Sequence, residues 1–179
     1  LDGGEGNGDQ ANYLSPVELD VTANPLSNIE LVNAGVPGAT LVGASKYVLL
    51  SSTTVQVNDD AAITYSNFER LVGTAQDDQF DLAGFVFSGF IDGLEAILGD
   101  QVIISQDGDS ATNIGFLAGD GMGPREGDGY ISFGLSSESF QSAGLEQFQL
   151  QYASIEDFVL NLGQDLNMKG QGVLGSSQD

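Results

Sequence analysis

The sequence predicts an all-β fold: a right-handed parallel β-helix (β-solenoid) with Gly/Asp corner turns, the alternative being a β-sandwich. Three observations predict it. Short runs rich in β-branched and apolar residues recur along the chain, while helical periodicity is weak. Glycine, at 25 residues, and Asp- or Asn-rich clusters punctuate those runs at short intervals. One short pattern also returns four times: a small polar residue, Asn or Ser, a large apolar residue, usually Glu, any residue, then an apolar one.

Taken in chain order, residues 1–9 (LDGGEGNGD) crowd Gly, Asp and Asn together, which suits a corner and neither a helix nor an ordinary strand. The pattern first occurs as Ser27-Asn28-Ile29-Glu30-Leu31-Val32. Residues 39–50 and 53–57 read as strands, with Asn58-Asp59-Asp60 as the turn after them. Ser66-Asn67-Phe68-Glu69-Arg70-Leu71-Val72 is the second copy. Residues 79–91 and 101–105 again read as strands. Thr112-Asn113-Ile114-Gly115-Phe116-Leu117 and Ala153-Ser154-Ile155-Glu156-Asp157-Phe158-Val159 complete the set. Residues 143–162 are the best helical candidate, but 147–152 (QFQLQY) alternates polar and apolar with period two, which is strand patterning.

The recurring pattern favours the solenoid over the sandwich. In stacked coils equivalent residues lie about 4.8 Å apart, so Ile29, Phe68, Ile114 and Ile155 would share one apolar interior, and a corner Asn (Asn28, Asn67, Asn113) would bond along the stack. Coils of about 20–25 residues are expected. Ile29 to Ile114 is 85 residues, Phe68 to Ile155 is 87, and Asp2 to Asp92 is 90, which points to two tandem units, 1–90 and 91–179.

Composition narrows the function. A hydrophobic fraction of 41% in 179 residues is enough for a core. Against 26 acidic residues stand Lys46, Arg70, Arg125 and Lys169, a formal net charge of −22. Nucleic acid and anionic membranes are therefore poor partners, and cations or basic proteins remain. Cys, His and Trp are absent, which removes disulfides, thiolates, imidazole bases and His-bound zinc. No apolar run approaches the roughly 18 residues a membrane helix needs. The chain starts without Met, inside a motif, and reads as a piece of something longer.

Calcium takes six to eight oxygens from carboxylates, carbonyls and water, and a Gly-rich turn with Asp beside it offers both kinds. Asn7, Asp9, Asp77 and Asp78 fit this need, as do Asp107 and Asp109; Asp120 and Asp128 fit it more loosely. The competing reading of every Asp-Gly pair is plain turn chemistry. No stretch has EF-hand spacing. Asp59-Asp60 and Asp77-Asp78 are poor acid–base pairs, because neighbours on a strand face opposite ways. Phe80, Phe85, Phe87 and Phe90 read as core or contact residues, with a sugar-stacking platform as the lesser alternative. No catalytic set emerges.

Leu1-Asp2-Gly3-Gly4-Glu5-Gly6-Asn7 resembles the glycine-rich nonapeptide of hemolysin-type (RTX-like) calcium-binding repeats. Residues 66–80 (SNFERLVGTAQDDQF) are similar to the segment that precedes such repeats in very large secreted bacterial surface and adhesin-type proteins. The pattern departs from the family where Gly8 stands at the expected Asp and where residues 73–80 lack the glycine pair. The resemblance implies an extracellular β-solenoid that serves in adhesion, matrix or surface architecture. The expected function is thus a structural segment of a secreted acidic protein that assembles with copies of itself or with neighbouring repeats, with calcium as a possible ligand. A calcium-dependent carbohydrate-binding module or a polysaccharide-active β-helix enzyme is the alternative.

Overall fold

The computed structural model describes residues 4, 9–15, 17–23, 29–35, 37–60, 62–83, 87–95, 98–106, 114–118, 129–133 and 149–162. Among them are fifteen strands and no helix. The strands are β1 (Gln10–Asn12), β2 (Glu18–Asp20), β3 (Leu31–Asn33), β4 (Ala39–Val42), β5 (Lys46–Ser51), β6 (Thr54–Val57), β7 (Ala62–Ser66), β8 (Phe68–Val72), β9 (Gln79–Asp81), β10 (Gly89–Asp92), β11 (Gln101–Gln106), β12 (Ile114–Ala118), β13 (Gly129–Phe133), β14 (Leu150–Ala153) and β15 (Asp157–Leu162). The first sheet has eight strands in the order β1-β3-β7-β6-β5-β9-β11-β15; the second has seven, β12-β13-β14-β10-β8-β4-β2. Neither closes on itself. The fold is all-β with mixed sheets.

The chain alternates between the sheets. β1, β3, β9, β11 and β15 belong to the first, while β2, β4, β8 and β10 belong to the second. Twice a single crossing is replaced by an antiparallel meander: β5-β6-β7 in the first sheet and β12-β13-β14 in the second. The other pairings are parallel. Four of these nine have offsets of 20 to 22 residues: Gln10 pairs with Leu31, Glu18 with Thr40, Arg70 with Phe90 and Gln79 with Gln101; the other five are longer, as in Thr40 with Arg70, Leu31 with Thr64, Lys46 with Gln79, Gln101 with Asp157 and Gly89 with Leu150. A strand can pair in parallel with the next of its own sheet only after the chain has left and come back, and here the way back leads through the other sheet.

Register turns sequence alternation into columns. Leu19, Leu41, Leu71 and Ile91 stand in line across the second sheet, each at most 4% exposed. In the first sheet Tyr47, Phe80 and Val102 are aligned and buried, and the Tyr47 and Phe80 rings stack at 5.5 Å with an 11° interplanar angle. Each such side chain contributes about 1.5–3 kcal/mol by leaving water. Both sets belong to one core. Tyr47 Oη also donates to the Val72 carbonyl at 2.9 Å, joining β5 of one sheet to the end of β8 of the other.

Two long runs are divided. Residues 39–50 break into β4 and β5 at Gly43, whose φ of +93° suits a residue without Cβ. Residues 79–91 break into β9 and β10. Of the four pattern residues, Ile29, Phe68 and Ile155 are buried; Ile114 opens β12, and its side chain lies outside the described part. The copies do not all occupy one corner. Ile29 and Ile155 each stand two residues before a first-sheet strand, whereas Phe68 begins β8 of the second sheet and pairs with Ala39. Among the described residues no helix is long and apolar enough to cross a membrane.

Candidate functional site: an acidic corner column

Five strands of the first sheet, β3, β5, β9, β11 and β15, follow a strand of the second sheet, and the residues just before these five and before β1 are Glu30, Ser45, Asp78, Asp100, Glu156 and Asp9. Five of the six are acidic. The backbone explains why. The carbonyl at one strand entrance accepts from an N–H at the entrance of the neighbouring strand, as in Glu30 N to Asp9 O (3.1 Å), Gln101 N to Asp78 O (2.9 Å) and Glu156 N to Asp100 O (3.1 Å). The N–H groups at the strand entrance need acceptors of their own. The acid before the neighbouring strand supplies them: Asp9 N donates to Glu30 Oε2 (2.8 Å), Asp78 N to Asp100 Oδ1 (2.7 Å) and Asp100 N to Glu156 Oε2 (2.7 Å). A carboxylate accepting from a backbone N–H makes one of the stronger hydrogen bonds.

Glycine clears the space for these side chains. Gly73 follows β8, and a Cβ there would overlap Asp78 Oδ2. Gly93 follows β10, and a Cβ there would overlap Asp100 Oδ2 and stand 2.5 Å from the Ser154 carbonyl oxygen. Neither glycine has a positive φ; what each provides is room. The carboxyls thus lie against the backbone that opens their own corners, immediately after β8 and β10.

The neighbouring residues are spent on the same structure. Asp78, 3% exposed, accepts from Thr74 N (2.6 Å) on Oδ2 and from Thr74 Oγ1 (2.9 Å) on Oδ1. Asp77 points the other way, and its Oδ1 accepts from Leu98 N (2.6 Å) and Gly99 N (3.3 Å), tying this corner to the next. Burial raises the Asp78 carboxyl above the usual range against the pull of the Thr74 bonds. Asp100 is fully buried, and its Oδ2 is the one buried side-chain oxygen without a hydrogen-bond partner among the described residues. Burial pushes its pKa up to about 7; the bond from Asp78 N opposes this, and the charges of Asp78, Glu156 and Asp77 add to it.

Other ladders line the outer surface. Gln79 Nε2 donates to Gln101 Oε1 (3.3 Å), and Gln101 Nε2 to Asp157 Oδ2 (2.9 Å). Asn33 Nδ2 donates to Asn12 Oδ1 (3.4 Å) and Ser66 Oγ to Asn33 Oδ1 (2.7 Å). The expected asparagine stacking therefore centres on Asn33, which Asn67 joins at 3.5 Å from a left-handed φ of +62°. Asn28 and Asn113 lie outside the described residues.

Of the candidate calcium ligands, Asp9, Asp77 and Asp78 take the places just given, and Asn7, Asp107 and Asp109 lie outside the described residues, as do Asp120 and Asp128. Among the described residues no three acidic side chains are grouped to hold a metal ion. Asp59 pairs with Lys46 at 3.1 Å. Phe80 and Phe87 are core, Phe90 lies under the Arg70 guanidinium at 4.5 Å, and Phe85 is not among the described residues. Asp100, Glu30 and Glu156 were not singled out from sequence. A signal existed: Asp9-Gln10-Ala11, Asp78-Gln79-Phe80 and Asp100-Gln101-Val102 share an Asp-Gln-apolar step that marks the strand entrance. Comparison with protein-family models, curated proteins and solved structures finds no match for this chain.

Proposed function

We propose that this chain is a structural segment of a secreted, acidic surface protein, built as a parallel β-solenoid and assembling end to end with copies of itself or with neighbouring repeats. The observation that carries the reading is the parallel register, with an offset of 20–22 residues in two pairings of each sheet, which brings like residues into columns of leucine, glutamine and corner acid. Columns of this kind suit a stack whose stability is the sum of rung-to-rung contacts. Among the described residues the first sheet ends on β1 and β15, and the second on β2 and β12. Strand edges pair readily with further strands. The charge of −22 opposes side-by-side association, so growth along the stack is the favoured direction.

Sedimentation and negative-stain microscopy across a concentration series test the proposal. Oligomers that lengthen with concentration at constant width are expected, and added salt should begin to permit lateral association. A single monomeric species up to the solubility limit would overturn the assembly. Globular closed dimers would overturn its direction.

A further inference from the structure

We propose that Asp100 is a proton-operated joint in the corner column: its carboxyl carries a proton while the rungs are packed, presented from Oδ2 toward the Ser154 carbonyl, and its ionisation opens the corner between β10 and β11. The proposal does not depend on end-to-end assembly.

The geometry points to a proton for three reasons. First, Asp100 is completely buried and uses only Oδ1, which accepts from Asp78 N at 2.7 Å; Oδ2 has no partner among the described residues. A buried carboxylate oxygen without a donor carries the full penalty of lost hydration. A proton removes it by making Oδ2 a donor. Second, an acceptor is adjacent, since Oδ2 and the Ser154 carbonyl oxygen both crowd the point that a Cβ on Gly93 would occupy. Ser154 holds its carbonyl there from a left-handed φ of +53°, itself 5% exposed.

Third, among the described residues the charges that act on Asp100 have its own sign. Asp77 and Asp78 face it from the corner before β9, and Glu156, which accepts from Asp100 N at 2.7 Å, faces it from the corner before β15. Its own corner carries Asp92 and Glu95. Residues 73–78, 93–100 and 154–157 contain no Lys or Arg. Like charges this close cannot all ionise without repulsion. Burial first, then the charges of Asp78, Glu156 and Asp77, push the Asp100 pKa from 3.8 up to about 7, so the proton would leave in the neutral range.

The sign of the effect follows. The folded form holds the proton to higher pH than the unfolded form, so stability is greatest below the unfolded pKa and falls as pH rises through the folded one. Once ionised, Asp100 gains by hydration. Reaching water would break the bond from Asp78 N and draw Gly99 and Leu98 away from Asp77.

The test is carried out on the full chain with two variants, in chelator and in added calcium. The 13Cγ shift of Asp100 should titrate with a midpoint near 7 rather than near 3.8. Glu156→Gln, which keeps an acceptor for Asp100 N, should lower that midpoint. Hydrogen exchange at Asp78 and Leu98, corrected for intrinsic rates, should speed up across the same midpoint. Asp100→Asn, which keeps an acceptor for Asp78 N and offers an N–H to Ser154, should abolish both the change in exchange and the fall in melting temperature between roughly pH 5 and pH 8. A midpoint in the ordinary carboxylate range overturns the proposal, as does an Asp100→Asn variant that keeps the wild-type pH profile. Calcium that abolishes the profile in the wild type at equimolar concentration also overturns it, because the orphan oxygen would then serve a cation and not a proton.

Discussion

Replacing Tyr47 by Phe removes one oxygen atom from the middle of the core and leaves the ring where it is. The hydroxyl has two partners: it donates to the Val72 carbonyl at 2.9 Å and accepts from Ala44 N at 3.4 Å. The two losses differ in weight. Val72 O keeps a second donor, Gly43 N at 3.0 Å, so it does not become an orphan. Ala44 is fully buried, and its N–H loses a long, weak bond. A net hydrogen bond is worth about 0.5–1.5 kcal/mol, and a buried group left entirely unpaired costs about 1–3 kcal/mol. With one partner rescued and the other weakly bound to begin with, we expect a loss of about 1–2 kcal/mol. For a chain of this size that is a fall in melting temperature of about 2–8 °C.

Urea unfolding followed by circular dichroism measures it, and the slope with urea should not change, because the same surface is exposed on unfolding. Tyr65→Phe is the control. Its ring packs edge-on against Phe68, and among the described residues its hydroxyl has no hydrogen-bond partner, so its removal should change stability by less than about 0.5 kcal/mol. Equal effects of the two substitutions would refute the view that the Tyr47 hydroxyl braces one sheet against the other. A Tyr47→Phe loss well above 3 kcal/mol would refute the claim that Val72 O stays satisfied.

Gly93→Ala should destabilise by about 1–3 kcal/mol through overpacking against Asp100 and the Ser154 carbonyl, and pairing it with Asp100→Ala should recover part of the loss in thermal melts. Asp20 Oδ1 accepts from Thr22 N, Thr22 Oγ1 and Ala23 N; the bond from Ala23 N, then those from Thr22, hold its carboxyl below the usual range. Its contribution is therefore present above the unfolded pKa and lost as pH falls through the folded one, the reverse of Asp100, and Asp20→Asn should flatten only the acid limb of a stability–pH curve. Gln101→Cys with Asp157→Cys should form an intramolecular disulfide in a chain that has no other cysteine, because these residues are register partners on adjacent parallel strands. Intermolecular dimers or no cross-link in non-reducing gels would argue against that register.

Reading along the chain was enough for the strand class and for the corners, because β-branched runs, Gly and Asp act on the backbone within a few residues of themselves. It was enough, too, to foresee that an asparagine ladder would form, though not that Asn33 would be its centre. That choice depends on Asn12 and Ser66, 21 and 33 residues away, being aligned with it. The corner acids show the same division. Asp77 and Asp78 were legible as a pair with opposite faces, since neighbouring residues on an extended chain must diverge. Asp100 was passed over because its corner, residues 93–100, lacks the polar run that marks a loop of interest.

What the amino-acid order determined by itself is local and additive: an acidic, cysteine-free, histidine-free chain of short strands with glycine corners, and the chemistries those absences remove. What only the tertiary structure decided is which carboxyl loses its water. Asp100 meets Asp78 at a separation of 22 residues and Glu156 at 56, and the burial and repulsion that set its proton affinity exist only once β9, β11 and β15 are paired. Solvation and Coulomb energies depend on distances in space, and the folding of the chain sets those distances.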